Sequence, residues 1–183
     1  MTPLDHNDVF PTVHVLALRG SLRQLPGDSH EFEAAGLVRS TPDGFTLTEA
    51  GHRHHRALFE QERAALDIGL LGIVYERFPA LALRLKALES CWSGIDEAGR
   101  RRKLVPELVS ILDDMEPILR RSAELAPRFG TYIGRLRDAK LRLTHGDLEY
   151  AFDDGVESIN TVIRELHEDY LQTLGRGYDL AES

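Results

Sequence analysis

Within this 183-residue chain, His167 and Asn160 have the types and spacing best suited to chemistry. They stand seven positions apart in a segment of helical periodicity, so at 100° per residue they share one side of a helix. Val156, Ile159, Ile163, Leu166, Tyr170 and Leu174 form the apolar arc of that helix, with His167 and Asn160 on one border near Leu171. Glu165 and Glu168 are expected to face away, and Asp169 to sit on the opposite border. An imidazole beside a carboxamide can orient a small polar ligand or serve in proton transfer. The alternative is a core-edge histidine satisfied by a neighbouring helix, the usual state of buried polar groups. Trp92 is the only tryptophan. It ends another helical segment, where its ring can wall a pocket and its N–H can act as a handle. The candidate ligand-binding set is therefore Trp92, Asn160, His167 and Tyr170, converging if the last helix packs on the one that ends at Trp92.

Other clusters are weaker. Cys91 lacks any local base to make it a nucleophile, and as the single cysteine it excludes an internal disulfide or a Cys-rich zinc site. Glu49 and His52 have the Glu-x-x-His spacing of carboxylate metal sites, but no second copy exists. His52, His54 and His55, with Arg53 and Arg56, read instead as a solvated helix face or a pH-sensitive patch. Arg100-Arg-Arg-Lys103 is the one basic run, and acids on both sides make it a solvated loop-to-helix junction. There is no phosphate-cradling glycine loop, no Gly-x-Ser-x-Gly and no His-Glu-x-x-His, so no cofactor and no metal is implied.

The elements that must position these residues are helical. Aromatics are 7%, charged residues 28%, and the formal charge is −8, which does not attract nucleic acid or an anionic membrane. No secretion signal is evident, and the longest apolar run, Ile68 to Tyr75, is too short to span a bilayer, so a cytoplasmic protein is expected. A first helix opens near Asp8, carries Phe10, Val13, Leu16 and Ala17 on one stripe, and closes at Gly20. Turn signals follow at Leu25-Pro26-Gly27-Asp28 and Thr41-Pro42-Asp43-Gly44. Asp28 and Glu31 form a capping box for a short helix through Ala35, and Gly36 ends it. Residues 37–39 and 45–47 flank the second turn as a hairpin. Thr48 caps a long helix toward Phe78, and Phe78-Pro79 breaks the pattern before Ala80 to Trp92. A loop at Gly94 to Gly99 precedes helices at about 103–125, 127–144 and 156–174, with a kink at Pro117. The fold class is mainly α, a truncated winged helix with one small β-hairpin followed by a helical bundle. Domains are expected at residues 1–60 and 61–183.

Glu33-Ala-Ala-Gly-Leu-Val-Arg39 followed by Asp43-Gly-Phe-Thr-Leu-Thr-Glu-Ala-Gly51 resembles the winged-helix domain of MarR-type transcription regulators. The first stretch then ends the recognition helix, the turn is the wing, and Leu-Thr-x-x-Gly opens the next helix. Sixteen residues separate Gly20 from Leu37. A scaffold helix, a turn and a recognition helix need roughly 24. What remains, Asp28 to Ala35, carries three acids and no Lys or Arg, the wrong sign for phosphates. The later half is similar to the helical domain of actinobacterial winged-helix proteins, through Glu165-Leu-His-Glu-Asp-Tyr-Leu171 and Cys91-Trp92. The resemblance implies a dimeric, regulator-like protein that responds to a small molecule or a protein partner, with direct DNA reading disfavoured. The second reading is an enzyme or small-molecule-binding protein on the same scaffold, its pocket around the last helix.

Overall fold

The computed structural model describes residues 6–25 and 28–176, with backbone alone for 6–8. The turn expected at Leu25-Pro26-Gly27-Asp28 therefore falls partly outside them, at Pro26 and Gly27. The chain is mainly helical, with one antiparallel hairpin, and divides into two compact units, Met1–Leu66 and Asp67–Ser183.

In the first unit α1 (His6–Arg19) packs on α3 (Glu49–Ala65), and a short α2 (Ser29–Ala34) leads into the hairpin of β1 (Val38–Thr41) and β2 (Gly44–Leu47). Asp28 caps α2 by accepting from the His30 N–H at 2.9 Å, and Gly36 stops it at φ +69°. The strands pair Val38 with Leu47 and Thr41 with Gly44. Leu22 adds a single antiparallel bridge to Phe45, with bonds of 2.7 and 3.0 Å, beside the hairpin. Apolar residues from every element, Val13, Leu16, Phe32, Val38, Leu47 and Leu58, fill one small core. Burying such side chains stabilises by about 1.5–3 kcal/mol each. His55 belongs to that interior rather than to the solvated face expected for the 52–55 cluster. Its Nε2 lies 3.0 Å from His14 Nδ1, and the two rings stack between Phe10 and Phe59. His52 and His54 stay exposed, and Glu49 bonds Arg53 at 2.6 Å.

Two glycines in this unit are required by close backbone approach. A Cβ at Gly51 would meet the Leu37 carbonyl oxygen at 2.0 Å, where the start of α3 crosses the chain entering β1. A Cβ at Gly44 would meet the Leu22 oxygen at 2.3 Å, and its φ of +122° is itself closed to other residues. Thr48 locks the same corner: its hydroxyl donates to the Gly36 oxygen at 2.6 Å and accepts from the Gly51 N–H at 3.0 Å.

The long helix expected from Thr48 toward Phe78 is broken. Leu66 takes an extended conformation and the Asp67 carboxylate accepts from the Leu70 N–H at 2.9 Å, so a new helix starts there. The second unit consists of α4 (Ile68–Tyr75), α5 (Phe78–Ser93), α6 (Ala98–Arg102), α7 (Val105–Leu125), α8 (Gly130–His145), α9 (Glu149–Phe152) and α10 (Ile159–Leu174). Prolines 79 and 106 open α5 and α7, where no N–H is needed. Pro117 lies inside α7 without ending it, and it supplies no N–H to the Asp113 carbonyl. Two starts differ from expectation. Pro127 heads a 3₁₀ turn (Pro127–Phe129) ahead of α8, and the last helix starts at Ile159, because Ser158 is the residue that caps it. Part of the expected 94–99 loop is drawn into α6. α10 packs against α4, α8 and α9, while α7 packs against α4, α5 and α8. No helix among the described residues is long and apolar enough to cross a membrane.

Gly51→Ala is expected to destabilise the first unit by about 1–3 kcal/mol, since the contact it creates is with backbone. Gly134→Ala, at an α8 position with open space around the new methyl, is expected to stabilise by up to about 1 kcal/mol. Denaturant unfolding followed by far-UV circular dichroism measures both, and equal effects of the two substitutions would contradict the packing described.

Candidate functional site

The candidate site grows from α10, a helix buried on nearly every side. Ser158 caps it by accepting from the Thr161 N–H at 3.2 Å, and Gly175 ends it in the left-handed region at φ +66°. Between them Arg164 is the exposed position, while Ile159, Val162, Ile163, Leu166, Tyr170 and Leu171 are all buried. A helix wrapped this completely needs its polar residues matched by the neighbours.

Tyr170 is fully buried. Its ring stacks on Phe129 with centroids 4.6 Å apart and tilts against Tyr75 and Phe78 at 5.2 and 5.3 Å. Its hydroxyl sits 2.6 Å from the Ser122 hydroxyl of α7. Burial pushes the phenol up to about 12, partly opposed by that hydrogen bond, so it stays neutral. One turn earlier, His167 Nε2 lies 2.9 Å from the Tyr75 hydroxyl of α4, and the imidazole also tilts over Phe78. Burial lowers the His167 pKa, with Glu168 opposing, and burial raises that of Tyr75, with Arg176 opposing. The pair is thus a neutral imidazole and a neutral phenol sharing one proton-bearing contact. Such a pair can hold or pass a single proton at the edge of an aromatic cluster.

Asn160 and Trp92 lie elsewhere in the unit. Asn160 Nδ2 donates to Glu89 Oε1 on α5 at 3.0 Å, two turns and about 10 Å along the axis from His167. Trp92, on the next turn of α5, meets Phe152 edge-on at 5.4 Å and carries the Arg101 guanidinium 5.9 Å from its centroid. Tyr170 and His167 are therefore brought together with Tyr75 and Phe78, while Asn160 meets Glu89 and Trp92 lies near it, toward the C-terminal end of α5. None of the four lines the groove of about 230 Å³ between α7 and α8. Cys91 is exposed, and among the described residues no three His, Cys, Asp or Glu side chains cluster as a metal site. In the basic run, Arg101 donates to the Ile95 carbonyl at 2.6 Å and Arg100 pairs with Glu97.

The charged interior of α10 was not anticipated. Glu165, expected to face away, is buried and takes a two-pronged bond from Arg135 of α8 at 2.6 and 2.8 Å. Asp169 is completely buried and bonded by Arg128 at 2.9 Å and by the Tyr132 hydroxyl at 3.1 Å. Thr173 completes the row, donating to the Asp169 backbone oxygen at 2.6 Å and meeting Arg128. Burial, together with the neighbouring Asp169 carboxylate, raises the Tyr132 phenol pKa. The signal was available: Glu165, Asp169 and Thr173 recur every four residues, and Arg128 and Arg135 are seven apart in the segment that forms the 3₁₀ turn and α8.

The chain was compared with family models, curated proteins and solved structures. Nothing matched in any of the three. The geometry alone therefore carries the reading: a saturated buried ion network along one side of α10, and a neutral His–Tyr pair with an aromatic cluster on another.

Two outcomes follow. Removing the Asp169 carboxylate takes the counter-charge from a buried guanidinium, so Asp169→Ala is expected to cost about 3–5 kcal/mol of stability. Arg84→Ala, which breaks only exposed pairs with Glu107 and Asp114, should leave the unfolding midpoint close to wild type. For His167 the folded pKa lies below 6.5, so its contribution is complete above about pH 6.5 and is lost as pH falls through the folded value. An NMR titration should place the His167 midpoint below 6.5, the ordinary imidazole value. A midpoint at or above that value would remove the burial argument.

Proposed function

We propose that this chain is a regulator-like protein of winged-helix descent whose first unit no longer reads DNA. On this reading it works in the cytoplasm as a homodimer and acts through a small molecule or a protein partner met by its helical unit. The observation that carries the proposal is the order of elements in the first unit. The sequence α1, a bridge strand at Leu22, α2, hairpin and α3 follows a winged helix, yet a single six-residue helix stands where a scaffold and a recognition helix are needed. It carries an exposed Glu31 and a half-buried Glu33, charges that repel phosphate. The wing strand keeps only Arg39, whose Nε donates to Thr46 at 3.3 Å.

A second reading makes the His167–Tyr75 pair the polar anchor of a ligand site inside the helical unit. It is favoured by one observation, a half-buried neutral imidazole beside an aromatic cluster, which suits a ligand with an apolar body and a single polar group.

Titration of the full chain against a random-sequence duplex at low salt tests the first reading. The expected result is no salt-dependent binding tighter than about 10⁻⁴ M, the weak limit of non-specific DNA binders. Micromolar binding with a steep salt slope would reinstate DNA contact and overturn the proposal.

A further inference from the structure

The groove between α7 and α8 has opposite charges on its two rims. Leu112 and Leu119 of α7 and Leu136 of α8 form its apolar floor. Asp113 and Glu116 stand on the α7 side, Arg137 and Lys140 on the α8 side. Lys140 already bonds Asp113 at 2.5 Å, and Glu116 is met by Arg120 of its own helix. Arg137 has no hydrogen-bond or ion-pair partner among the described residues, and it stands exposed one turn from Leu141. Leu141 is 55% exposed, among the large apolar side chains that the fold leaves at the surface.

A two-fold axis passing through a face exchanges its two sides, so a face that pairs with its own copy must be self-complementary. Acids along one rim and bases along the other satisfy that requirement. We propose that a second copy of this chain occupies the groove, with α7 of each copy lying against α8 of the other. In that arrangement Arg137 of one copy faces the partner's Glu116, and Leu141 enters the apolar floor of the opposing groove as a knob enters a hole. The inference rests on the homodimer of the proposed function and gives it a surface.

Its strength follows from its size. Sixteen residues of α8 run about 24 Å, and two helices side by side are about 20 Å wide, so each copy contributes on the order of 500 Å². That is below the roughly 800 Å² per partner of a standard stable interface. The dimer should therefore form at micromolar concentrations and dissociate on dilution.

Sedimentation equilibrium of the full chain at low ionic strength tests this. Wild type is expected to show a monomer–dimer equilibrium that Leu141→Glu shifts to monomer. Arg137→Glu and Glu116→Lys place like charges opposite each other, and each should weaken the homodimer by about tenfold or more. An equimolar mixture of those two variants should recover dimer, because every cross-copy contact then joins opposite charges. Arg137 and Leu141 are exposed, so unchanged far-UV circular dichroism separates these effects from misfolding. A wild-type chain that stays monomeric at hundreds of micromolar overturns both the second copy and the homodimer, leaving the groove to a foreign helix or ligand. A wild-type dimer indifferent to Leu141→Glu, with no recovery in the mixture, overturns this surface while the homodimer stands.

Discussion

Two carboxylates held inside a helical bundle set the terms for everything packed around them. Desolvating a carboxylate costs several kcal/mol, and the cost is recovered only with good geometry and a full set of hydrogen bonds. Glu165 and Asp169 obtain both from one continuous segment: Arg135 from α8 itself and Arg128 from the 3₁₀ turn that precedes it. Because those guanidiniums are seven residues apart and the carboxylates four, both matches are made only when α10 has one particular rotation and height against α8. The aromatic stack of Tyr170 on Phe129 then follows, since Phe129 is the neighbour of Arg128 and Tyr170 the neighbour of Asp169. The ion pairs thus fix register, and the apolar contacts supply most of the stabilisation.

The same rotation places His167. With Asp169 turned toward α8, His167 is carried toward α4, where Tyr75 and Phe78 enclose it. Burial in that enclosure lowers its pKa, with Glu168 opposing. The site and the core of this unit are therefore one assembly, and a ligand at the imidazole would press against the residues that hold α10 in place.

Much of the fold was legible in the residues. Thr48, Asp28, Gly36 and Gly175 act as caps and stops because cap chemistry is local and needs no knowledge of the partner helix. The hairpin was visible in its turn. The break at Asp67 was hidden because Asp67 follows Leu66 in a pattern whose apolar spacing continues unbroken into Ile68 and Leu71, and a side-chain cap carries no period. Glu165 was misplaced for a related reason. Periodicity assigns charged residues to solvent by default, and it cannot see an arginine arriving from another helix. His167 was singled out by its position on the arc, whereas Tyr75, whose hydroxyl it meets, sits 92 residues away and gave no local hint. Asn160 and Trp92 were grouped with it by helix arithmetic alone, which is silent on the distance between opposite ends of a bundle.

The distribution of chromophores has a practical consequence. Residues 1–66 contain no tryptophan and no tyrosine, while Trp92 and all five tyrosines fall within residues 67–183. Intrinsic fluorescence of this protein is thus blind to melting of the hairpin unit, and Trp92, wedged against Phe152, reports one end of the bundle. The helical circular dichroism band sees both units. Any gap between the two unfolding curves would read out the separate stability of the first unit directly, with no label introduced.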